Sequence, residues 1–335
     1  MIKFLKKIFI LFLIVSVVSA GVCYLIDPHN VFHPLSIRDT GVTTAQNYVK
    51  MTYILANPEK FDSFIMGSSR VGNIHPEKII NEKCYNLSCS EGTPHEELAN
   101  INTLISNGII PKHIYLGVDS LSYTDDYERH SEIGYLVPYE YAQSNPIKFY
   151  KMYLDPAYVV DSFLDTTISH KKNRNYQRIF YDYGWNSDYK TISEYAFDNV
   201  PASIGEKNYL DETLDDIQQI VNICKENGIE LTVFTNPMHT VTYEESVKQN
   251  YLIFLRQLAN ITPYYNFSGY NDITTDNANY LDPSHYNAET SDLIIDCVCN
   301  HKVDPQLYEQ GFGALIDSEN AAEWIEVLNN KNNIS

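Results

Sequence analysis

Phe64-Ile65-Met66-Gly67-Ser68-Ser69-Arg70 is an apolar run that stops at a glycine and sets two serines at its end. A short apolar run of this kind suits a strand buried on both faces of a parallel sheet, with its reactive groups at the exit. Far downstream, Tyr280-Leu281-Asp282-Pro283-Ser284-His285 places a carboxylate and an imidazole three residues apart. A serine hydroxyl is a poor nucleophile until a base takes its proton, and the imidazole needs an anion to fix its tautomer. The two segments supply all three groups, which points to a serine esterase or acyltransferase.

Around these segments strands and helices alternate. Residues 61–66, 83–88, 113–118, 230–234 and 264–267 read as short strands. Glu96, Glu97, Leu98, Ile101, Leu104 and Ile105 show helical spacing after Pro94. Further helices are expected from Leu210 to Asn227, from Tyr243 to Ala259 and from Ala288 to Cys299. Such alternation predicts an α/β fold: a doubly wound, flavodoxin-like parallel sheet in a three-layer α/β/α sandwich. In sheets of this kind reacting groups gather outside the carboxyl ends of the strands. Gly67-Ser68-Ser69, Asp119, Asn236 and the Asp282/His285 pair all fall there.

The expected organisation has residues 1–26 as a signal anchor and 27–59 as a connector. A catalytic domain follows over 60–302, interrupted at about 120–208 by a tyrosine-rich, mainly helical insertion, and 303–335 form a tail with a short helix. The chain has 27 tyrosines, many of them between Tyr123 and Tyr189, near Trp185. They suit either half-buried packing or a cleft wall that stacks on sugar rings.

Lys3, Lys6 and Lys7 precede residues 8–26, which carry no charge. That length matches a bilayer hydrocarbon core of roughly 20 residues, and the lysines keep the N-terminus in the cytoplasm. Val18-Ser19-Ala20 would suit a cleavable signal, but the apolar run continues through Val22, Tyr24, Leu25 and Ile26, which favours an uncleaved anchor. The body is then extracytoplasmic, on a single-pass membrane protein. A formal net charge of -19 and the lack of a basic patch beyond the first residues exclude a nucleic-acid surface. Beyond the anchor the cysteines are Cys84, Cys89, Cys224, Cys297 and Cys299, with no zinc-site spacing. No metal and no cofactor is expected.

Gly67-Ser68-Ser69 and Asp282-Pro283-Ser284-His285 together resemble the first and last blocks of the SGNH/GDSL hydrolase superfamily. The anchored layout is most similar to its extracytoplasmic DltD-like and alginate-acetylation-like branch. The resemblance covers residues 61–300 apart from the insertion. It implies Ser69 as nucleophile, His285 as base and Asp282 as its orienter. It also implies oxyanion donors from the Ser69 backbone and an amide near Glu91 or Gly92, where the family's second block carries a glycine. Asp119 stands where the family has an asparagine, and an ionised carboxylate cannot donate. Ser68, Arg70 and Asn236 complete the expected oxyanion and substrate-binding set. The implied substrates are acetyl or D-alanyl esters of a cell-surface glycan or teichoic-acid-like polymer, with a membrane-bound O-acyltransferase as candidate partner. The competing expectation is a catalytically silent glycan-binding or scaffold protein on the same fold.

Overall fold

The structure is a computed structural model, and it describes residues 1–164, 175–184, 197 and 207–331. The chain forms two compact units, Met1–Tyr53 with Arg129–Gln177 and Ile54–Glu128 with Arg178–Ser335.

The second unit holds a mostly parallel six-stranded sheet. Its strands are β1 (Ser63–Met66), β2 (Cys84–Asn86), β3 (His113–Val118), β4 (Glu230–Thr235) and β5 (Tyr264–Asn266). A small antiparallel pair follows, β6 (Tyr280–Asp282) with β7 (His285–Tyr286), and then β8 (Ala314–Ile316). The main sheet runs β2-β1-β3-β4-β5-β8; every pairing is parallel except β5 with β8. β1, β2 and β3 are buried along their whole length, as parallel strands covered on both faces must be. Ile65, Tyr115 and Phe234 from neighbouring strands pack with Ile294 and Ile295 of helix Ala288–Asn300 and with Phe267 and Phe312. The β2 edge is covered: Asn86 donates its backbone N–H to Tyr183 O, and the Tyr85 hydroxyl donates to Phe180 O.

Several expectations need correcting. The helix expected from Tyr243 to Ala259 is two helices, Thr240–Lys248 and Tyr251–Ile261. Asn250, in the left-handed region at φ 70°, breaks them, and no Gly or Pro marks the spot. Residues 303–331 are not a tail. They add β8 to the sheet, and helix Ala321–Asn329 packs on helix Tyr251–Ile261. Residues 27–53 are not a linker but part of the first unit, with Asp27, Asn30, Val31, Ala45, Val49 and Met51 buried. The expected insertion is no single body either: 129–177 belong to the first unit and 178–208 to the second. Trp185 and Tyr189 lie outside the described residues.

In the first unit, helix Ile2–Ile26 is long and apolar enough to cross a membrane. Tyrosines of the expected insertion pack among aromatic rings there. Tyr139 stacks on Tyr48, and Tyr153 meets Phe149 and Tyr158 edge-on.

Candidate functional site

β1 ends at Met66, and Gly67 turns the chain with φ 135°, a value that side chains rarely adopt. A Cβ there would stand 2.5 Å from Gly117 O in β3, so the turn also needs glycine for space. The Gly67 N–H donates to the buried Glu97 carboxylate at 3.0 Å. Ser69 then opens a short 3-10 helix, Ser69–Asn73. Asn86 braces that turn, donating its side-chain amide to Val71 O and Ile74 O.

The hydroxyl of Ser69 lies 2.9 Å from His285 Nε2. On the other side of the ring, Nδ1 lies 2.8 Å from Asp282 Oδ2 and 3.0 Å from Oδ1. The acid and base sit at the tight turn between β6 and β7, where Asp282 and His285 face each other across the pair. Asp282 Oδ1 also accepts the backbone N–H groups of Ser284 at 2.7 Å and His285 at 2.9 Å. The turn therefore fixes the carboxylate, and the carboxylate fixes the ring. With Nδ1–H directed at Asp282, Nε2 presents its lone pair to the serine hydroxyl, the tautomer that general-base chemistry needs. His285 and Asp282 side chains remain 17% and 20% exposed, so the constellation opens to solvent.

Burial pushes the Asp282 carboxyl up. The His285 hydrogen bond and charge, with the two backbone N–H groups, outweigh it and hold the group below its ordinary value of 3.8. Because the folded value is the lower one, the stabilisation is complete above the ordinary value and is lost as pH falls through the folded one. Unfolding free energies of wild type and Asp282→Asn should therefore differ at neutral pH and converge below pH about 4. A difference that stays flat or widens in acid would contradict this assignment.

Four residues expected to bind substrate or oxyanion are buried behind the Ser69 turn. Arg70, Asp119 and Asn236 are at most 1% exposed, and Ser68 is 3% exposed. Asp119 Oδ1 takes Arg70 Nη1 at 2.5 Å and the Leu121 N–H at 2.8 Å. Its Oδ2 takes the Ser68 hydroxyl at 3.2 Å and the Asn236 amide at 2.9 Å. Four donors converge on the two oxygens, which fills the acceptor capacity of a carboxylate. Asp119 is thus the counter-ion of Arg70 and no oxyanion donor, and the Asn236 amide is committed to it. Asn236 Oδ1 accepts from Tyr286, the residue after His285, and Asn73 donates to Tyr286 O at 2.8 Å. Two bonded routes therefore tie the histidine pair to the serine turn.

Turn 89–92 adjoins the turn at Gly67. Cys89 N–H donates to Gly67 O, and a Cβ on Gly92 would stand 2.7 Å from that same oxygen. Gly92 N–H closes its own turn on Cys89 O at 3.3 Å, and Glu91 takes a left-handed φ of 53°. Glu97, Asn73, Asn86 and Tyr286 were not among the expected site residues. Glu97 is visible in the sequence only as one of two acids in the first helical turn, which favours a capping reading. None of the six cysteines forms a disulfide.

Comparison of the chain with protein-family models and with curated proteins gives no match.

Proposed function

We propose that this protein is a membrane-anchored, extracytoplasmic serine esterase or O-acyltransferase that acts on acyl esters of a cell-surface glycan or teichoic-acid-like polymer. The observation that carries this reading is the relay from Ser69 through His285 to Asp282, at 2.9 Å and 2.8 Å. The strand order β2-β1-β3-β4-β5 supports a doubly wound, flavodoxin-like sheet, and with the motifs quoted above it supports the SGNH/GDSL resemblance. Lys3, Lys6 and Lys7 before the apolar helix support a cytoplasmic N-terminus.

In the first half-reaction Ser69 Oγ attacks the ester carbonyl carbon while His285 Nε2 takes its proton. Asp282 holds the imidazolium that forms. The developing oxyanion is received by the Ser69 backbone N–H, beside the backbone of turn 89–92. Collapse breaks the ester C–O bond, and His285 returns the proton to the departing alcohol, leaving acyl-Ser69. Water or a sugar hydroxyl, deprotonated by His285, then takes the acyl group and frees the serine. A membrane-bound O-acyltransferase would supply acyl groups from the other side of the bilayer.

Mixing the full-length protein in detergent with p-nitrophenyl acetate tests this directly. The expected result is a burst of nitrophenol stoichiometric with protein, followed by a slow phase that an acceptor glycan accelerates if transfer is the reaction. Absence of any burst, together with unchanged acyl content of envelope polymers in a deletion strain, would leave the silent scaffold reading in its place.

A further inference from the structure

The apolar anchor does not leave its unit abruptly. Asp27 ends helix Ile2–Ile26 in the left-handed region, and its carboxylate accepts the backbone N–H groups of Val31, Phe32 and His33. Arg38 donates from Nη2 to the last-turn carbonyls of Leu25 at 2.9 Å and Ile26 at 3.0 Å. These bonds fix the direction in which the helix leaves the unit.

Helix Pro156–Leu164 of the same unit packs against that anchor helix. On the anchor, Cys23 is buried and Ser19 and Ala20 are half-buried, whereas the residues N-terminal to them are exposed. Asp155, just before the second helix, acts electrostatically on Cys23. At 1.5 Å per residue, Cys23 and Ser19 lie about 5 and 10 Å inside the outer end of the apolar stretch. The neighbouring helix thus runs beside a part of the anchor that belongs at acyl-chain level.

The outward face of that helix fits such a place. Its inward side is Tyr158, Val159 and Ser162; Val159 is buried, and the Ser162 hydroxyl lies 3.0 Å from His29 Nε2. The opposite side is a stripe of exposed Pro156, Ala157, Val160, Phe163 and Leu164, spaced as one helical face. Val160, Phe163 and Leu164 are 55%, 43% and 74% exposed. Exposed Asp155 and Asp161 flank the stripe, as acids at headgroup level would.

We infer that helix Pro156–Leu164 is an interfacial membrane helix, its Val160, Phe163 and Leu164 face seated in the outer leaflet against the anchor. The occupant of this face is lipid, because its helix packs beside the outer part of an anchor that itself crosses the bilayer. This inference rests on the anchor spanning the membrane, as proposed above. Two points of attachment would hold the unit at a set tilt, where a lone spanning helix would let it swivel.

The test uses the full-length chain in phosphatidylcholine–phosphatidylglycerol vesicles. Cysteine substitutions at Phe163, and separately at Leu164 and Val17, carry the fluorophore NBD, with labelled wild type subtracted. Nitroxides on the lipids, near the headgroup or near the chain end, report depth, and aqueous iodide reports exposure. Expected is quenching at 163 and 164 by the shallow nitroxide, at a depth of about 5–10 Å, with shielding from iodide. Val17 should respond most to the deep nitroxide. If 163 and 164 respond to iodide and to neither lipid while Val17 responds to lipid, the interfacial helix is wrong and the span stands. If Val17 also escapes the lipid quenchers, the spanning reading fails and takes this inference with it.

Discussion

Ser69→Ala is expected to lower kcat for ester turnover by roughly 10⁴ to 10⁶-fold with little change in KM, because the hydroxyl acts in the transition state and not in ground-state binding. Its Oγ lies 2.9 Å from His285 Nε2, so on the proposed mechanism the ring loses the proton it would receive. Asp282→Asn should cost about 10⁴-fold, since an amide in that place favours the wrong imidazole tautomer. The two changes act on one unit, so the double variant should be scarcely slower than Ser69→Ala alone. Additive losses would mean that the groups do not work together.

The largest stability effect is expected from the buried pair behind the turn. Asp119→Ala leaves the Arg70 guanidinium without its counter-ion at a site that is 0% exposed. Arg70 Nε and Nη2 already have no hydrogen-bond partner among the described residues, and beyond Asp119 the guanidinium reaches only Met238 Sδ, a weak acceptor 3.4 Å from Nη1. Breaking such a pair from one side costs about 3–5 kcal/mol, measurable as a lower urea midpoint. The double variant Arg70→Met with Asp119→Leu removes both charges and should regain the part of the loss that comes from the unpaired guanidinium. What remains is about 1–3 kcal/mol for each of Ser68 and Asn236, which lose their acceptor. An Asp119→Ala loss below about 1 kcal/mol would show that the pair is not desolvated as its burial indicates.

The parts of this site that are legible in the sequence are those set by local chemistry. A glycine after an apolar run marks the end of β1, and the Asp282/His285 spacing survives as a tight turn whose backbone donors organise the carboxylate. Long-range pairing is what the sequence hides. Asp119 reads as a failed oxyanion donor because its neighbours in sequence are apolar or hydroxylic, while the cation that explains it comes from the Ser69 turn. Arg70 reads either as a surface or structural ion pair or as an anion-binding group; the ion pair is the one found, but its partner and its full burial, seldom seen for arginine, are not legible. β8 escapes notice because Ala314-Leu315-Ile316 follows Gly311 and Gly313 in what reads as a polar tail, and it pairs antiparallel at the β5 edge. The break at Asn250 carries no glycine or proline, although asparagine tolerates the left-handed conformation better than most residues. The first unit illustrates a different limit: its aromatic residues come from two distant segments, 27–53 and 129–164, and neither alone has the length to bury a core.

The most direct test of the account is where an active-serine reagent attaches. Full-length protein treated with a fluorophosphonate, digested and sequenced by mass spectrometry should carry the adduct on Ser69, with Ser68 unmodified and labelling lost in His285→Ala. Modification of another serine, or equal labelling with and without His285, would mean that the alcohol at the end of β1 is not activated by the ring beside it.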